Sequence, residues 1–340
     1  MSQKTKVVVT RQLNGAAQTL LESHHELEIV QWNSEKPAPR PWLLQNAPGA
    51  SGLLVMLSDT IDAALLETCT PTLKTIASFS VGTDHITLPL LKTHNIRLGY
   101  TPTALTSAVA DTAIMLTLMA QRRAGEAVAS VKAGEWPAMP WAPQLLTGPQ
   151  IAGCTVGFVG FGRIGQAVLK RFVGFGVRRA VYLTSRPGEV AKVDYFDVLG
   201  GKAGIEAVPA RGWEDLGRES DVVVLGCALT ESTRHFVGRE FLALMKRTAV
   251  LVNVARGPVV DTEALVEALR EGRIFGAGLD VVEGEPNVPA DHPLLKEPRC
   301  VLLPHIGSAT IETREQMAEE SVRNLLAGLS GEAMVNEVEL

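Results

Sequence analysis

A glycine-rich segment in the middle of the chain restricts the fold more than any other stretch. Three glycines follow the apolar run at residues 154–159 in GxGxxG spacing: Gly160, Gly162 and Gly165. In a strand–turn–helix unit that binds a dinucleotide, such glycines allow a tight turn, a close approach of backbone to pyrophosphate, and close packing of helix on strand. Glycines also collect in ordinary turns, but the strand before, the helix after and a further strand near Val181 supply the confirming context. The sequence therefore predicts a dinucleotide site, with Arg163 and Ile164 where the helix begins.

Strand and helix patterns alternate on both sides of this segment. Before it, short apolar runs predict strands at residues 6–10, 27–30, 52–57, 75–79 and 96–100. After it, further runs predict strands near Val181 and Val208 and at residues 222–225, 249–253, 276–281 and 301–303. Such alternation is typical of parallel sheets covered by helices on both faces. Because 340 residues suffice for two domains, we expect an α/β protein with two Rossmann-like, doubly wound parallel-sheet domains and a cleft between them.

Two long helical segments suggest how the domains are divided. The Ala-rich stretch from Thr106 to about Gly134 predicts a helix that bridges the domains. The stretch at 308–329 is also helical and has no strand after it, so we expect it to pack back on the first domain. The first domain then consists of residues 1–105 plus 310–340 and is discontinuous. Residues 106–309 form the second domain, which includes the bridging helix and the glycine segment.

Composition and charge narrow the range of partners. The formal net charge of -5 argues against nucleic acid and against an anionic membrane surface, because binding to either needs clustered cations. The four cysteines lie far apart without metal-ligand spacing, so we predict reduced thiols and no metal site. No apolar run approaches the roughly 20 residues of a membrane span. We expect a cytoplasmic protein with a small-molecule partner; an organelle reached by another route is the alternative.

The end of the strand near Val181 bears on which dinucleotide is bound. In an NAD-selective unit, an acid about 20 residues beyond the glycines binds the ribose hydroxyls and repels a 2′-phosphate. Here Ser185 and Arg186 follow the strand, and no acid occurs before Glu189. The planar donors of a guanidinium suit phosphate oxygens, although a solvent-exposed arginine in a turn is the alternative interpretation. We predict NADPH as the cofactor, with NADH as a weaker second candidate.

Polar residues follow several strands of the second domain. Arg256 ends an apolar run, at the strand end where open α/β sheets bind ligands, and its guanidinium can clamp a carboxylate. His305 follows Pro304, which cannot donate to a neighbouring strand, so the imidazole lies at the same edge. A lone histidine is more often structural, but Glu285 can hold one ring nitrogen and leave the other as a general acid. Glu285 lies in the loop after the strand predicted at residues 276–281, and Asp280, near the end of that strand, is placed to meet the carboxamide of the cofactor.

Four motifs, in this order, make the chain resemble the D-isomer-specific 2-hydroxyacid dehydrogenases: G-F-G-R-I-G, N-V-A-R-G-P-V-V-D, G-A-G-L-D-V-V-E-G-E-P and L-P-H-I-G-S-A-T. The likeness covers nearly the whole chain. It implies that the catalytic residues are Arg256, Glu285 and His305. It also implies substrate contacts at Ser58 and at the N–H groups of Val81 and Gly82. Further cofactor contacts that the resemblance implies are Cys227, Thr233, Asp280 and Gly307.

Within this family, the segments M-L-S-D, S-V-G-T-D-H and H-P-L-L are similar to the eukaryotic members that reduce glyoxylate and hydroxypyruvate. The resemblance implies NADPH-dependent reduction of glyoxylate to glycolate and of hydroxypyruvate to D-glycerate, with His305 as the general acid. It also implies a homodimer in which the first domain, flavodoxin-like, binds the 2-keto acid and the second binds NADPH. One alternative is a family member acting on phosphoglycerate, formate or a bulkier 2-keto acid. The other is a non-catalytic, dinucleotide-sensing scaffold similar to the corepressors that share this fold.

Overall fold

The chain forms two compact units, each built on one parallel sheet. The computed structural model describes residues 4–13 and 15–340. Unit 1 comprises Met1–Leu105 and Ala309–Leu340, and unit 2 comprises Thr106–Ser308. The two parallel sheets, of five and seven strands, confirm the predicted α/β class. Across the described ranges, no helix combines the length and the apolarity that crossing a bilayer requires.

The sheet of unit 1 has the strand order β2-β1-β3-β4-β5. Its strands are β1 (Thr5–Val9), β2 (Leu27–Gln31), β3 (Gly52–Val55), β4 (Thr75–Ser78) and β5 (Arg97–Gly99). The helices of the unit are α1 (Gly15–Glu22), α2 (Arg40–Asn46), α3 (Ala63–Cys69), α4 (Leu88–Thr93) and α11 (Ile311–Ser330). The sequence patterns predict all five strands and α11 but not α2.

Apolar side chains cover both faces of this sheet, which explains why its central strand β3 is a continuous apolar run. Val8 packs with buried leucines of α2, α3 and α4 on one face. Val7 and Val9 point to the other face, where they pack with α1 and with Val322 and Leu325 of α11. The last helix of the chain thus completes the core of the first unit.

Unit 2 has a seven-stranded sheet of order β12-β11-β10-β9-β6-β7-β8. Its strands are β6 (Thr155–Val159), β7 (Arg179–Leu183), β8 (Glu206–Pro209), β9 (Val222–Leu225), β10 (Val250–Asn253), β11 (Gly276–Leu279) and β12 (Cys300–Leu302). Its helices are α5 (Thr106–Gln121), α6 (Ala124–Lys132), α7 (Arg163–Gly174), α8 (Trp213–Glu219), α9 (Arg239–Leu244) and α10 (Thr262–Arg270). Strand order changes direction between β6 and β9, and open sheets of this kind bind ligands outside the carboxyl ends of the strands at such a point.

The prediction of one bridging helix from Thr106 to about Gly134 is wrong, because the segment forms two helices. Arg123 has a left-handed backbone with φ 50 and separates α5 from α6. Its guanidinium donates to the Glu126 carboxylate at 2.7 and 2.9 Å. The helix α5 packs directly on β11, where a Cβ on Gly278 would lie 2.7 Å from the Leu116 carbonyl oxygen. This close approach places α5 in the core of unit 2.

Candidate active site

The three glycines after β6 have different surroundings. Gly160 has φ +88, and a Cβ there would lie 2.7 Å from the Cys227 backbone nitrogen. A Cβ on Gly165 would lie 2.8 Å from the Gly160 carbonyl oxygen, so both positions are required by the packing of the protein itself. A Cβ on Gly162 would meet nothing within 4 Å. Because α7 begins directly after Gly162 without a side-chain cap, this open space and the first N–H groups of the helix fit a bound pyrophosphate.

The turn after β7 carries Ser185 and Arg186 with both side chains exposed. Thr184 holds this turn, since its Oγ1 accepts from the Arg186 N–H at 3.1 Å and donates to the Arg186 carbonyl at 3.0 Å. The Arg186 Nη1 lies 3.5 Å from a carboxylate oxygen of Glu189. The strand β7 pairs with β6, so the turn and the glycine segment share one edge of the sheet.

His305 and Glu285 are in direct contact. The Nδ1 of His305 lies 2.8 Å from Glu285 Oε1, and an ionised Glu285 accepts a hydrogen bond from it. The other carboxylate oxygen accepts from the Val282 N–H at 3.1 Å. The Nε2 of His305 has no hydrogen-bond partner among the described residues. The pair therefore presents one ring nitrogen to a ligand while the carboxylate orients the ring.

Asp280 binds the loop that carries His305, a contact that sequence reasoning missed. Its buried carboxylate accepts hydrogen bonds from the N–H groups of Ile306 at 2.8 Å and Gly307 at 2.7 Å. Its carbonyl accepts from the His305 N–H at 2.9 Å. Burial raises the pKa of Asp280, while these two hydrogen bonds and the nearby His305 lower it in part. The Asp280 carboxylate thus holds the loop that carries His305.

Arg256 lies three residues beyond β10, in a segment that contacts the Glu285 loop. Its Nη1 donates to the Ala255 carbonyl at 2.9 Å, and its own carbonyl accepts from the Asn253 side chain at 3.0 Å. A Cβ on the next residue, Gly257, would lie 2.1 Å from the Val282 carbonyl carbon. The backbone beside Arg256 therefore touches the backbone that leads to Glu285. Sequence reasoning found Arg256 but not this contact.

Three other expected cofactor residues, Cys227, Thr233 and Arg163, make contacts within the protein. The Cys227 backbone faces Gly160, and burial raises the pKa of the Cys227 thiol to about 11. Thr233 closes its own loop, where its Oγ1 accepts from the Thr230 N–H and donates to the Ala228 carbonyl, both at 2.7 Å. The Arg163 guanidinium lies over the Tyr195 ring, 4.4 Å from its centroid.

The expected substrate residues Ser58, Val81 and Gly82 belong to unit 1, whereas Arg256, Glu285 and His305 belong to unit 2. Ser58 follows β3, and its Oγ accepts from Arg11 Nη2 at 3.0 Å. Val81 and Gly82 follow the neighbouring strand β4 in a loop held by Ser80, whose Oγ donates to the Gly82 carbonyl at 2.7 Å. The N–H groups of Val81 and Gly82 have no hydrogen-bond acceptor within residues 4–13 and 15–340. They are free to bind a ligand. Arg11, which contacts Ser58, is a cation that sequence reasoning did not identify.

The second unit combines a Rossmann-type sheet, a GxGxxG turn and a hydrogen-bonded His–Glu pair at the carboxyl edge. This combination defines a dinucleotide-dependent oxidoreductase. Residues 114–307 match the model of the D-isomer specific 2-hydroxyacid dehydrogenase family, NAD binding domain. The chain belongs to this family and is a D-2-hydroxyacid dehydrogenase.

The chain is similar over almost its whole length to several proteins of this family. It is 43% identical over 337 residues to the glyoxylate reductase/hydroxypyruvate reductase of Mus musculus, covering 98% of each chain. A crystal structure of a Thermus thermophilus protein matches with a TM-score of 0.85 and 43% identity over 98% of this chain and 100% of that one. The NADPH-dependent glyoxylate/hydroxypyruvate reductase of Sinorhizobium meliloti, in complex with NADP and malonate, matches with a TM-score of 0.79 and 31% identity, covering 98% and 97%.

Proposed function

We propose that this dehydrogenase uses NADPH to reduce glyoxylate to glycolate and hydroxypyruvate to D-glycerate. The observation that carries the proposal is the 2.8 Å contact between His305 Nδ1 and Glu285 Oε1 at the sheet edge that also carries the glycine turn. The choice of substrates draws on the mouse and Sinorhizobium relatives, which are named for these reductions.

His305 acts as the proton donor in this proposal. Glu285 accepts from Nδ1, stabilises the charged ring and leaves the Nε2 proton for the substrate oxygen. When bound, the nicotinamide supplies hydride to the carbonyl carbon, which becomes the alcohol carbon when His305 protonates the oxygen. Proton donation of this kind contributes about 10²- to 10⁴-fold to a rate.

Arg256 and the unpaired N–H groups of unit 1 bind the substrate. Arg256 pairs with the carboxylate of the 2-keto acid through its fork of donors. Val81 and Gly82 donate their N–H groups to the same carboxylate, and Ser58 contributes a hydroxyl. In this proposal unit 1 supplies the substrate contacts of Ser58, Val81 and Gly82, while unit 2 supplies Arg256 and the residues that bind the cofactor.

The residues that hold the cofactor lie along the carboxyl edge of the second sheet. The pyrophosphate lies against Gly162 and the start of α7 at Arg163 and Ile164, with Gly160 and Gly165 shaping the turn. Ser185 and Arg186 bind the 2′-phosphate, and the absence of an acid before Glu189 makes NADH the weaker cofactor. Cys227, Thr233, Asp280 and Gly307 form the remaining wall.

Substitution of His305 tests the proposed mechanism. A His305→Ala variant should lose at least about 10²-fold in kcat with glyoxylate and hydroxypyruvate, while NADPH binding, measured by fluorescence titration, stays near the wild-type value. His94→Ala, at the end of α4 in unit 1, is the matched control and should retain full activity. Activity that survives His305→Ala would contradict the assignment of the acid.

A substrate panel tests the reaction itself against the alternatives. The loss of reduced-nicotinamide absorbance is followed with glyoxylate, hydroxypyruvate, pyruvate and a bulkier 2-keto acid. Preference for the first two supports the proposal. Preference for a bulkier acid would reassign the substrate, and no turnover with any of them would favour a dinucleotide-sensing scaffold.

We also propose a homodimer, supported by exposed apolar side chains along α6 and the segment after it. Val128 and Val131 are each 51% exposed, Trp136 is 68% exposed and Trp141 is 99% exposed. Exposed apolar surface of this kind is typical of subunit contacts. Light scattering on the protein as it leaves a size-exclusion column should give twice the mass of one chain. In the double variant Val128→Asp, Val131→Asp, the measured mass should fall toward that of the monomer. A wild-type monomer at micromolar concentration would refute the dimer.

A further inference from the structure

A second arginine stands beside the turn that carries Arg186. The strands β7 and β8 pair in parallel, with Tyr182 opposite Pro209. The next residue of the outer strand is Ala210, whose N–H donates to the Tyr182 carbonyl at 2.8 Å and whose carbonyl accepts from the Gly188 N–H at 2.7 Å. These two hydrogen bonds hold the end of β8 against the Arg186 turn. Arg211 follows directly, so both arginines leave from one hydrogen-bonded edge.

The charges around this edge are unbalanced. Arg211 is exposed, and its guanidinium makes no hydrogen bond or ion pair with any residue that the structure describes. Arg186 has a carboxylate of Glu189 at 3.5 Å, which is longer than the roughly 2.7–2.9 Å of a charge-assisted hydrogen bond. The charged side chains of residues 184–189 and 210–211 are Arg186, Glu189 and Arg211, so these two hydrogen-bonded segments together carry one net positive charge.

A single arginine beside Glu189 would be a poor site for a phosphate, because the carboxylate cancels the charge of the guanidinium. The second guanidinium restores a positive site with several donors, which is the arrangement that a phosphate dianion requires. The glycine turn lies at the same edge, on the neighbouring strand β6. An adenosine ribose bound beyond that turn would therefore bring its 2′-position toward this edge.

The geometry points to Arg211 as a second cation of the 2′-phosphate site, acting together with Arg186 and Ser185. This inference rests on the proposed use of NADPH, and it makes Arg211 a residue that determines cofactor specificity. The preference for NADPH then comes from residues at the ends of β7 and β8. Glu189 competes with the 2′-phosphate for Arg186.

Binding of 2′,5′-ADP, compared with 5′-AMP, tests the site without turnover. Calorimetric titration of the whole protein should show that Arg211→Ala weakens 2′,5′-ADP by about tenfold and that Arg186→Ala does so by at least as much. The ratio of kcat/KM for NADPH over NADH should fall by a similar factor. Arg218→Ala is the control, since it removes an exposed arginine of α8 that lies at the end of the helix remote from β8, and it should leave both quantities unchanged.

The binding measurement and the turnover measurement can fail independently, and this separates the inference about Arg211 from the proposed function. Equal affinity of Arg211→Ala and Arg218→Ala for 2′,5′-ADP would overturn the role of Arg211, even in an active NADPH-dependent reductase. Tight binding of 2′,5′-ADP that depends on Arg211 would support the site even if glyoxylate and hydroxypyruvate are not reduced. A wild-type protein that binds 5′-AMP as tightly as 2′,5′-ADP would overturn both the site and the proposed cofactor.

Discussion

A methyl group added at Gly257 should disconnect two parts of the candidate active site. Gly257 follows Arg256, and the backbone there packs against Val282 and Glu283. An added Cβ would lie 2.1 Å from the Val282 carbonyl carbon, 2.2 Å from its oxygen and 2.4 Å from the Glu283 nitrogen. All three atoms belong to the backbone, so no side chain can rotate away. The backbone of Gly257 does not have a left-handed conformation, and the cost of Gly257→Ala is therefore set by this contact.

The size of the displacement follows from these distances. Ordinary van der Waals contact begins at 3.4 Å, so the two segments must separate by about 1.3 Å. One segment carries Arg256 and the other leads to Glu285, which accepts from the Val282 N–H at 3.1 Å. A misplacement of about 1 Å costs on the order of 10²-fold in rate. Overpacking of this kind also lowers the free energy of unfolding by about 1–3 kcal/mol.

Steady-state kinetics and urea unfolding measure the two effects. Gly257→Ala should lower kcat/KM with glyoxylate by on the order of 10²-fold, mostly through kcat, while NADPH binding stays close to the wild-type value. The matched control is Gly174→Ala at the end of α7, where an added Cβ meets nothing within 4 Å. This control should retain full activity. A Gly257→Ala variant with kcat/KM within about twofold of wild type would refute the coupling of the two segments.

Three further predictions concern charge, buried hydrogen bonds and thiols. Glu189→Gln removes the carboxylate 3.5 Å from Arg186 and should lower the KM for NADPH by about two- to fivefold without improving NADH; an unchanged KM would show that Glu189 does not compete. Asp280→Ala leaves the N–H groups of Ile306 and Gly307 without their acceptor. It should lower the free energy of unfolding by about 2–4 kcal/mol and speed amide hydrogen exchange at both residues. Unchanged exchange would contradict the role of Asp280. Burial raises the pKa of all four thiols, to about 11 for Cys227 and about 12 for Cys300. Since the thiolate is the reactive form, the native protein at about pH 8 should react slowly with iodoacetamide and quickly once it is unfolded in urea. Mass spectrometry locates the labelled cysteines. Rapid labelling of Cys69, Cys154, Cys227 or Cys300 in the native protein would refute the burial argument.

Much of the fold is readable from local patterns. Several inner strands of both sheets are buried on both faces, so they appear in the sequence as short runs of mostly apolar residues, as in β4 (Thr75–Ser78) and β9 (Val222–Leu225). The helix α2 is missed because only Leu43 of its seven residues is buried, which leaves no apolar periodicity to detect. The break between α5 and α6 is missed because arginine is a good helix former, and the left-handed Arg123 breaks the helix without a sequence signal.

The candidate site, like the fold, could be predicted from the sequence only in part. The sequence by itself determined which polar residues stand at strand ends, because Arg256, Glu285 and His305 each follow an apolar run. Only the tertiary structure decided which atoms meet: the carboxylate of Asp280 with the N–H groups of the His305 loop, the backbone of Gly257 with that of Val282, and the Ala210 carbonyl, next to Arg211, with the Gly188 N–H of the Arg186 turn. The physical reason is that strand position depends on local burial and side-chain period, whereas these contacts depend on register between strands that lie far apart in the chain. A residue type can be predicted at an edge from its neighbours in sequence, but its partner is set by the strand that packs next to it.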